Sequence, residues 1–105
     1  MRDVSKMGPM TRIIHAGQHP DPLTGAVSVP IYQSSTFAFK DADHGAACFR
    51  GEVEGGYIYT RLGNPTNDIL ETRVTELEGG DASVSTASGT AAIFNKIITI
   101  AKAGD

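Results

Sequence analysis

A chain of 105 residues, 40% apolar and 20% charged, with a formal net charge of -3 and a mean hydropathy of -0.14, has the composition of one small soluble domain. A chain of this size buries roughly 65% of its unfolded surface. Its lysines and arginines are scattered rather than clustered, which argues against nucleic acid or an anionic membrane as main partner, and no apolar run approaches the ~20 residues of a membrane span.

Met1 to Lys6 leads into no apolar core, so no signal peptide is expected and a cytoplasmic location is the default. Residues 1–64 hold four of the five prolines and show no sustained hydrophobic period. Gln18 to Gly25 is dense in turn formers and reads as an irregular loop. Val27 to Pro30 and Tyr32 to Phe39 carry β-branched and aromatic residues, but Pro30 interrupts any central ladder. Asp41 to Phe49 reads as a short helix capped by Asp41 or Asp43, with Gly45 weakening it. Cys48 is the only cysteine, so no internal disulfide is possible and a reducing compartment fits. No base stands near it in sequence, so it reads as a small packed residue rather than a nucleophile. Residues 1–64 are thus expected to form a largely irregular arm that gains order across another surface.

Residues 65–105 follow a different pattern. Asn64 suits a cap and Pro65 the first helical position. Ile69, Leu70, Val74 and Leu77 follow helical spacing and predict an inward apolar stripe, ended by Gly79-Gly80. Ala82 to Thr86 is predicted as a short strand, although Ser83 and Ser85 make it less apolar than a buried parallel strand. A second helix is predicted from Ser88, burying Ile93, Phe94, Ile97, Ile98 and Ala101 and stopping at Gly104. Helix, strand, helix opens an α/β layer structure, yet one strand makes no sheet. The sequence therefore reads as a truncated chain rather than a complete domain.

Tyr57 to Thr66 places two tyrosines and an arginine ahead of a helix start. Phenol and guanidinium donors there suit a phosphate group, although Tyr59 alone fits a packing role and Arg61 a surface cation. Ala87-Ser88-Gly89-Thr90 offers free amides and a helix dipole to an anion, or equally an ordinary turn into a helix with Ser88 as cap. It is neither the phosphate loop of nucleotide hydrolases nor the dinucleotide fingerprint. His15, His19 and His44 lack the spacing of a zinc site, so no metal role is expected. His19 with Asp21 forms a loop pair that faces no serine or cysteine nucleophile.

Six ordered segments carry a resemblance. They are Ile14 to Gln18, Pro20 to Val27, Pro30 to Phe37, Tyr59 to Thr66, Leu77 to Gly80 and Ala87 to Ala92, while Gly45 to Glu52 before Gly56 to Arg61 bears on the branch. Together they resemble the pyridoxal 5′-phosphate (PLP)-dependent enzymes of cysteine and methionine metabolism, the gamma family of fold type I. Among its branches the likeness is greatest to the methionine gamma-lyases. O-acetylhomoserine sulfhydrylases and the cystathionine gamma-synthases and gamma-lyases share much of it.

The resemblance implies an extended N-terminal arm followed by the first helix-strand-helix of the PLP-binding α/β domain. It implies a homo-oligomer, a dimer of dimers, acting on a small sulfur amino acid. Tyr59 and Arg61 match a pair that holds the PLP phosphate of the neighbouring subunit. Gly89 and Thr90 match backbone donors to the chain's own PLP phosphate, with Ser88 beside them. Methionine is usual where Thr90 stands, and a backbone donor survives that change. The lysine that bonds the cofactor, the aspartate on its ring nitrogen, the stacking tyrosine and the carboxylate-binding arginine would all lie beyond Asp105. None of Lys6, Lys40, Lys96 or Lys102 has the matching context, so this chain alone is expected to be inactive. A non-catalytic truncated product or assembly module is the expectation from another class.

Overall fold

The computed structural model describes Val4 and residues 6–105. Of the stretch read against a signal peptide, Met1 to Asp3 and Ser5 lie outside the described residues. Among the described residues four helices are present: α1 Pro9–His15, α2 Ala42–Phe49, α3 Pro65–Glu78 and α4 Gly89–Ile100.

Their ends follow local chemistry. Asp41 caps α2 by accepting the His44 amide at 2.7 Å. Asn64 caps α3 by accepting the Thr66 amide at 2.8 Å, with Pro65 in the first turn, as its sequence predicts. Gly79 ends α3 at φ 64°, a conformation glycine adopts without a Cβ penalty. Ser88 caps α4 by accepting the Ala91 amide at 3.1 Å. The last helix ends at Ile100, short of the predicted Gly104, and a turn follows in which Asp105 accepts the Lys102 amide at 2.8 Å.

α1 was hidden in the segment read as irregular. Pro9 supplies its start, and seven residues are too few to display a hydrophobic period. It packs on α3, and among the described residues these are the only two helices in contact. The side of α3 that meets it is more polar than the predicted stripe. Arg73 donates to the carbonyls of Ile14 and Ala16 at 3.1 and 3.4 Å and to Gln18 at 2.8 Å. Arg12 donates to the Glu76 carbonyl at 3.1 Å. Gly17, at φ 68°, lies so close to Thr72 that a Cβ would fall 2.9 Å from its side chain. Leu70, Val74 and Leu77, predicted to point inward, are instead exposed.

Few side chains are buried. Among the described residues Val4, Ala16 and Cys48 are the apolar ones, with Asp21 and Asn64 the polar ones. On α4 the face predicted to be covered stands open: Ile93, Phe94, Ile97 and Ile98 are 55–63% exposed. The cause is geometric, since no other described helix packs on α4.

The predicted strand at 82–86 does not form a ladder. Among the described residues the sole β-type pairing is an antiparallel bridge between Thr36 and Tyr59. A strand needs a neighbour to satisfy its amides, and 82–86 has none here. Its serines make other partners. Ser85 donates from its amide and hydroxyl to Glu71 at 2.7 Å each, and Thr75 donates to the Ser83 hydroxyl at 2.8 Å. The polarity that looked wrong for a buried strand thus ties this segment to α3.

Candidate functional site

Tyr59 to Leu62 forms a tight turn. The Tyr59 carbonyl accepts the Leu62 amide at 2.8 Å and the Gly63 amide at 3.2 Å. Thr60 and Arg61 occupy the two central positions. The turn is joined to the arm on its near side, where Phe37 donates to the Ile58 carbonyl at 3.1 Å and Thr60 to the Ser35 carbonyl at 2.9 Å. The Thr60 hydroxyl also donates to the Ser34 carbonyl.

On the far side stands Asn64, only 2% exposed. Its side-chain amide donates to the Tyr32 carbonyl and to the Thr60 hydroxyl, each at 3.0 Å, while its oxygen caps α3. One buried residue therefore connects the arm, the turn and the helix. A second link runs from Thr66, whose hydroxyl accepts the Tyr32 amide at 2.9 Å. Asn64 is legible as a cap from sequence, but its two donor bonds depend on where Tyr32 and Thr60 arrive in space.

Arg61 itself is held differently. Among the described residues its guanidinium makes no hydrogen bond or ion pair and lies 5.5 Å from the centroid of the Tyr59 ring. Both side chains are exposed. A planar cation with all its N–H donors uncommitted, carried on an anchored turn, can bind an anion bidentately. The structure thus brings Tyr59 and Arg61 together. A cleft of about 150 Å³ joins Arg61 to Glu71, Val84 and Ser85, while Ser88, Gly89 and Thr90 lie outside it.

Those three residues share the N-terminus of α4. The Ser88 hydroxyl takes up the Ala91 amide and the Ser88 carbonyl the Ala92 amide at 3.1 Å. The amides of Gly89 and Thr90, at the first two helical positions, are left for an outside acceptor. Nothing lies within 4 Å of where a Cβ on Gly89 would be, so that approach is open.

One polar pair escaped sequence reasoning. The Tyr57 hydroxyl donates to the Asp68 carboxylate, and its ring lies 5.3 Å from that of Phe37. Burial, and after it the Asp68 carboxylate, pushes the phenol above its ordinary value, so it stays a donor. Tyr57 and Asp68 border a cavity of about 400 Å³ between the arm and α3, which His19, Asp21 and Tyr32 also line. The Asp21 carboxylate accepts the hydroxyl and amide of Thr24 at 2.6 and 2.8 Å. Those bonds hold it below the usual aspartate value. The Asp21 carboxylate beside His19 on this cavity is therefore already engaged within its own turn. Cys48 is buried, but its sulfur lies 3.9 Å from both ring nitrogens of His44 one helical turn away, so a base does stand beside it, contrary to the sequence reading.

Residues 10–105 match the model of a family described as Cys/Met metabolism PLP-dependent enzymes. The chain belongs to that family. It is 50% identical over 92 residues to a homocysteine synthase of Schizosaccharomyces pombe, covering 88% of this chain and 21% of that protein. It is 48% identical over 103 residues to an L-methionine gamma-lyase of Fusobacterium nucleatum, covering 98% of this chain and 26% of that one. Among solved structures, one assigned as an O-acetylhomoserine (thiol)-lyase of Campylobacter jejuni superposes with a TM-score of 0.85 at 39% identity. That match covers 93% of this chain and 24% of the other, which carries N′-pyridoxyl-lysine-5′-monophosphate. The chain thus spans about a quarter or less of the relatives it matches, and its fold is the opening of a fold type I PLP-dependent enzyme. The α/β expectation holds at that level, although the strand is not paired within this chain.

The family's cofactor carries a phosphate dianion, and the donors present suit one. Arg61 supplies a permanent charge, and the start of α4 supplies two unclaimed amides and the positive end of a helix dipole.

Proposed function

We propose that this chain is the cofactor-gripping N-terminal part of a PLP-dependent enzyme of sulfur amino acid metabolism, most like an L-methionine gamma-lyase. The whole enzyme would carry out α,γ-elimination of L-methionine to methanethiol, 2-oxobutanoate and ammonia. Tyr59 and Arg61 hold the PLP phosphate of a neighbouring subunit, and the Gly89 and Thr90 amides, beside Ser88, hold that of the chain's own cofactor. The observation that carries this reading is the Arg61 guanidinium, free of hydrogen bonds yet mounted on a turn secured from both sides. A guanidinium free of hydrogen bonds on an anchored base is open to an anion from outside its own fold, and the assignment to a neighbouring subunit rests on the resemblance of Tyr59 and Arg61 to the family's pair.

When bound, PLP draws electrons from the substrate's α-carbon, while the protein chooses which bond breaks. This chain contributes binding and orientation. Arg61 neutralises phosphate charge and aligns it through a planar fork. The Tyr59 hydroxyl adds a directional donor, and its ring limits the swing of Arg61. The α4 amides fix the opposite side of a phosphate without side-chain entropy. The complete enzyme is accordingly a homo-oligomer, a dimer of dimers, acting on a small amino acid in the cytoplasm.

A second reading, γ-replacement on O-acetylhomoserine or cystathionine chemistry, is favoured by the 50% identity to a homocysteine synthase. Assaying the complete enzyme with L-methionine, and separately with O-acetylhomoserine and sulfide, separates the two. Methanethiol release from L-methionine alone supports elimination. Homocysteine formation without methanethiol release overturns it in favour of replacement.

A further inference from the structure

Arg61 makes no hydrogen bond at its tip among the described residues, so apart from the Tyr59 ring its placement comes from the backbone that carries it. Thr60, immediately before it in the turn, is fixed by three hydrogen bonds. Its amide donates to the Ser35 carbonyl at 2.9 Å, its hydroxyl donates to the Ser34 carbonyl, and that hydroxyl accepts from Asn64 at 3.0 Å. Asn64 is in turn bound to the Tyr32 carbonyl at 3.0 Å and to the first turn of α3 at 2.8 Å. The donor and acceptor capacity of the Thr60 hydroxyl is used on both sides of the turn at once.

We infer that Thr60 and Asn64 are positioning residues that hold Arg61 ready for the cofactor phosphate. This rests on the reading of Arg61 given above. The physical ground is preorganisation: a donor ordered before the ligand arrives spends less binding free energy on ordering itself. Asn64 ties the turn to α3, a regular element, and regular elements hold a ligand more accurately than a loop does. Neither residue touches the phosphate. Each acts through Arg61, so removing Arg61 must abolish its effect.

That requirement makes the inference testable by a double-mutant cycle in the complete holoenzyme carrying this segment. Thr60→Val keeps the shape and removes the hydroxyl; Thr60→Ser keeps the hydroxyl. The readouts are the PLP dissociation constant, by absorbance titration of the apoenzyme, and the phosphorus-31 shift of the bound cofactor. Thr60→Val removes both bonds of the hydroxyl, and because these act on the cofactor only through Arg61 it should weaken PLP binding about 3- to 10-fold and move the phosphorus signal. Thr60→Ser should restore both, and in an Arg61→Ala background Thr60→Val should change neither further. Equal weakening with and without Arg61 shows a merely structural role and overturns the inference. So does a Thr60→Val enzyme with wild-type affinity and signal. If Arg61→Ala alone leaves PLP binding unchanged, the phosphate role itself fails and the inference falls with it, a result distinct from the other two. Should Thr60→Val fail to fold, Asn64→Ser carries the same cycle, since serine still caps α3 but is too short to reach Thr60 and Tyr32.

Discussion

Replacing Asn64 by alanine removes three bonds that run in different directions. The carboxamide oxygen caps α3 at 2.8 Å from the Thr66 amide, and the nitrogen reaches Tyr32 and Thr60 at 3.0 Å each. Loss of the cap costs about 1 kcal/mol. Each lost donor bond costs about 1 kcal/mol net, less where water replaces the partner. Water can reach Tyr32, which is 37% exposed, so the total is about 2–3 kcal/mol. That corresponds to roughly 30- to 150-fold greater local opening. Two amides report it: Asp68, which donates to the Asn64 carbonyl at 3.0 Å, and Thr60, which donates to the Ser35 carbonyl at 2.9 Å. Hydrogen–deuterium exchange at both should accelerate by that factor in Asn64→Ala. Asn64→Ser should speed exchange at Thr60 while sparing Asp68, because serine caps but does not span to the turn. If Asn64→Ala changes both rates by less than about threefold, the linkage of arm, turn and helix through Asn64 is refuted.

Further outcomes follow from other sites. Gly17→Ala should destabilise the α1–α3 contact by about 2–4 kcal/mol, because it adds a Cβ at positive φ and 2.9 Å from Thr72. Urea unfolding checks this, and adding Thr72→Ala should recover only the steric part; full recovery contradicts the backbone contribution. The Asp21 carboxyl is held below its ordinary value of 3.8, so its turn is stabilised above that pH and loses the contribution as pH falls through the lower, folded-state value. The Thr24 amide resonance should titrate with a midpoint under 3.8, and a midpoint at or above it contradicts the assigned bonds. Arg61→Ala should weaken PLP binding by roughly 10- to 150-fold, the equivalent of a charge-assisted contact of about 1.5–3 kcal/mol. Arg61→Lys should fall between, since it keeps the charge and loses the fork. Unchanged affinity by absorbance titration refutes the role of Arg61.

Local rules made the helix ends legible. Asp41, Asn64, Ser88 and Gly79 each act within a few residues of themselves, and each stands where its chemistry predicts. The order of motifs made the family legible, and with it the cofactor. What sequence did not reveal depends on meetings between distant segments. Asn64 donates to Tyr32, 32 positions away, and Arg73 reaches back to Ile14 over 59. No hydrophobic period encodes such bonds. The inward faces assigned to α3 and α4 failed for a related reason: periodicity shows that a face is apolar, not whether anything described lies against it. Ser83 and Ser85 looked out of place in a strand because their partners, Thr75 and Glu71, sit on the preceding helix.

The most direct test of a grip that serves a neighbour is subunit complementation. Arg61→Ala subunits of the complete enzyme would be mixed with subunits lacking the cofactor-bonding lysine, then dissociated and reassembled. If Arg61 acts across the interface, each mixed dimer holds one intact site and one doubly defective site. Activity should then rise to about a quarter of wild type at equal mixing, since half of the dimers are mixed. If Arg61 serves its own subunit's cofactor, every site in a mixed dimer keeps one defect. Activity no greater than the average of the two parents would contradict the cross-subunit role.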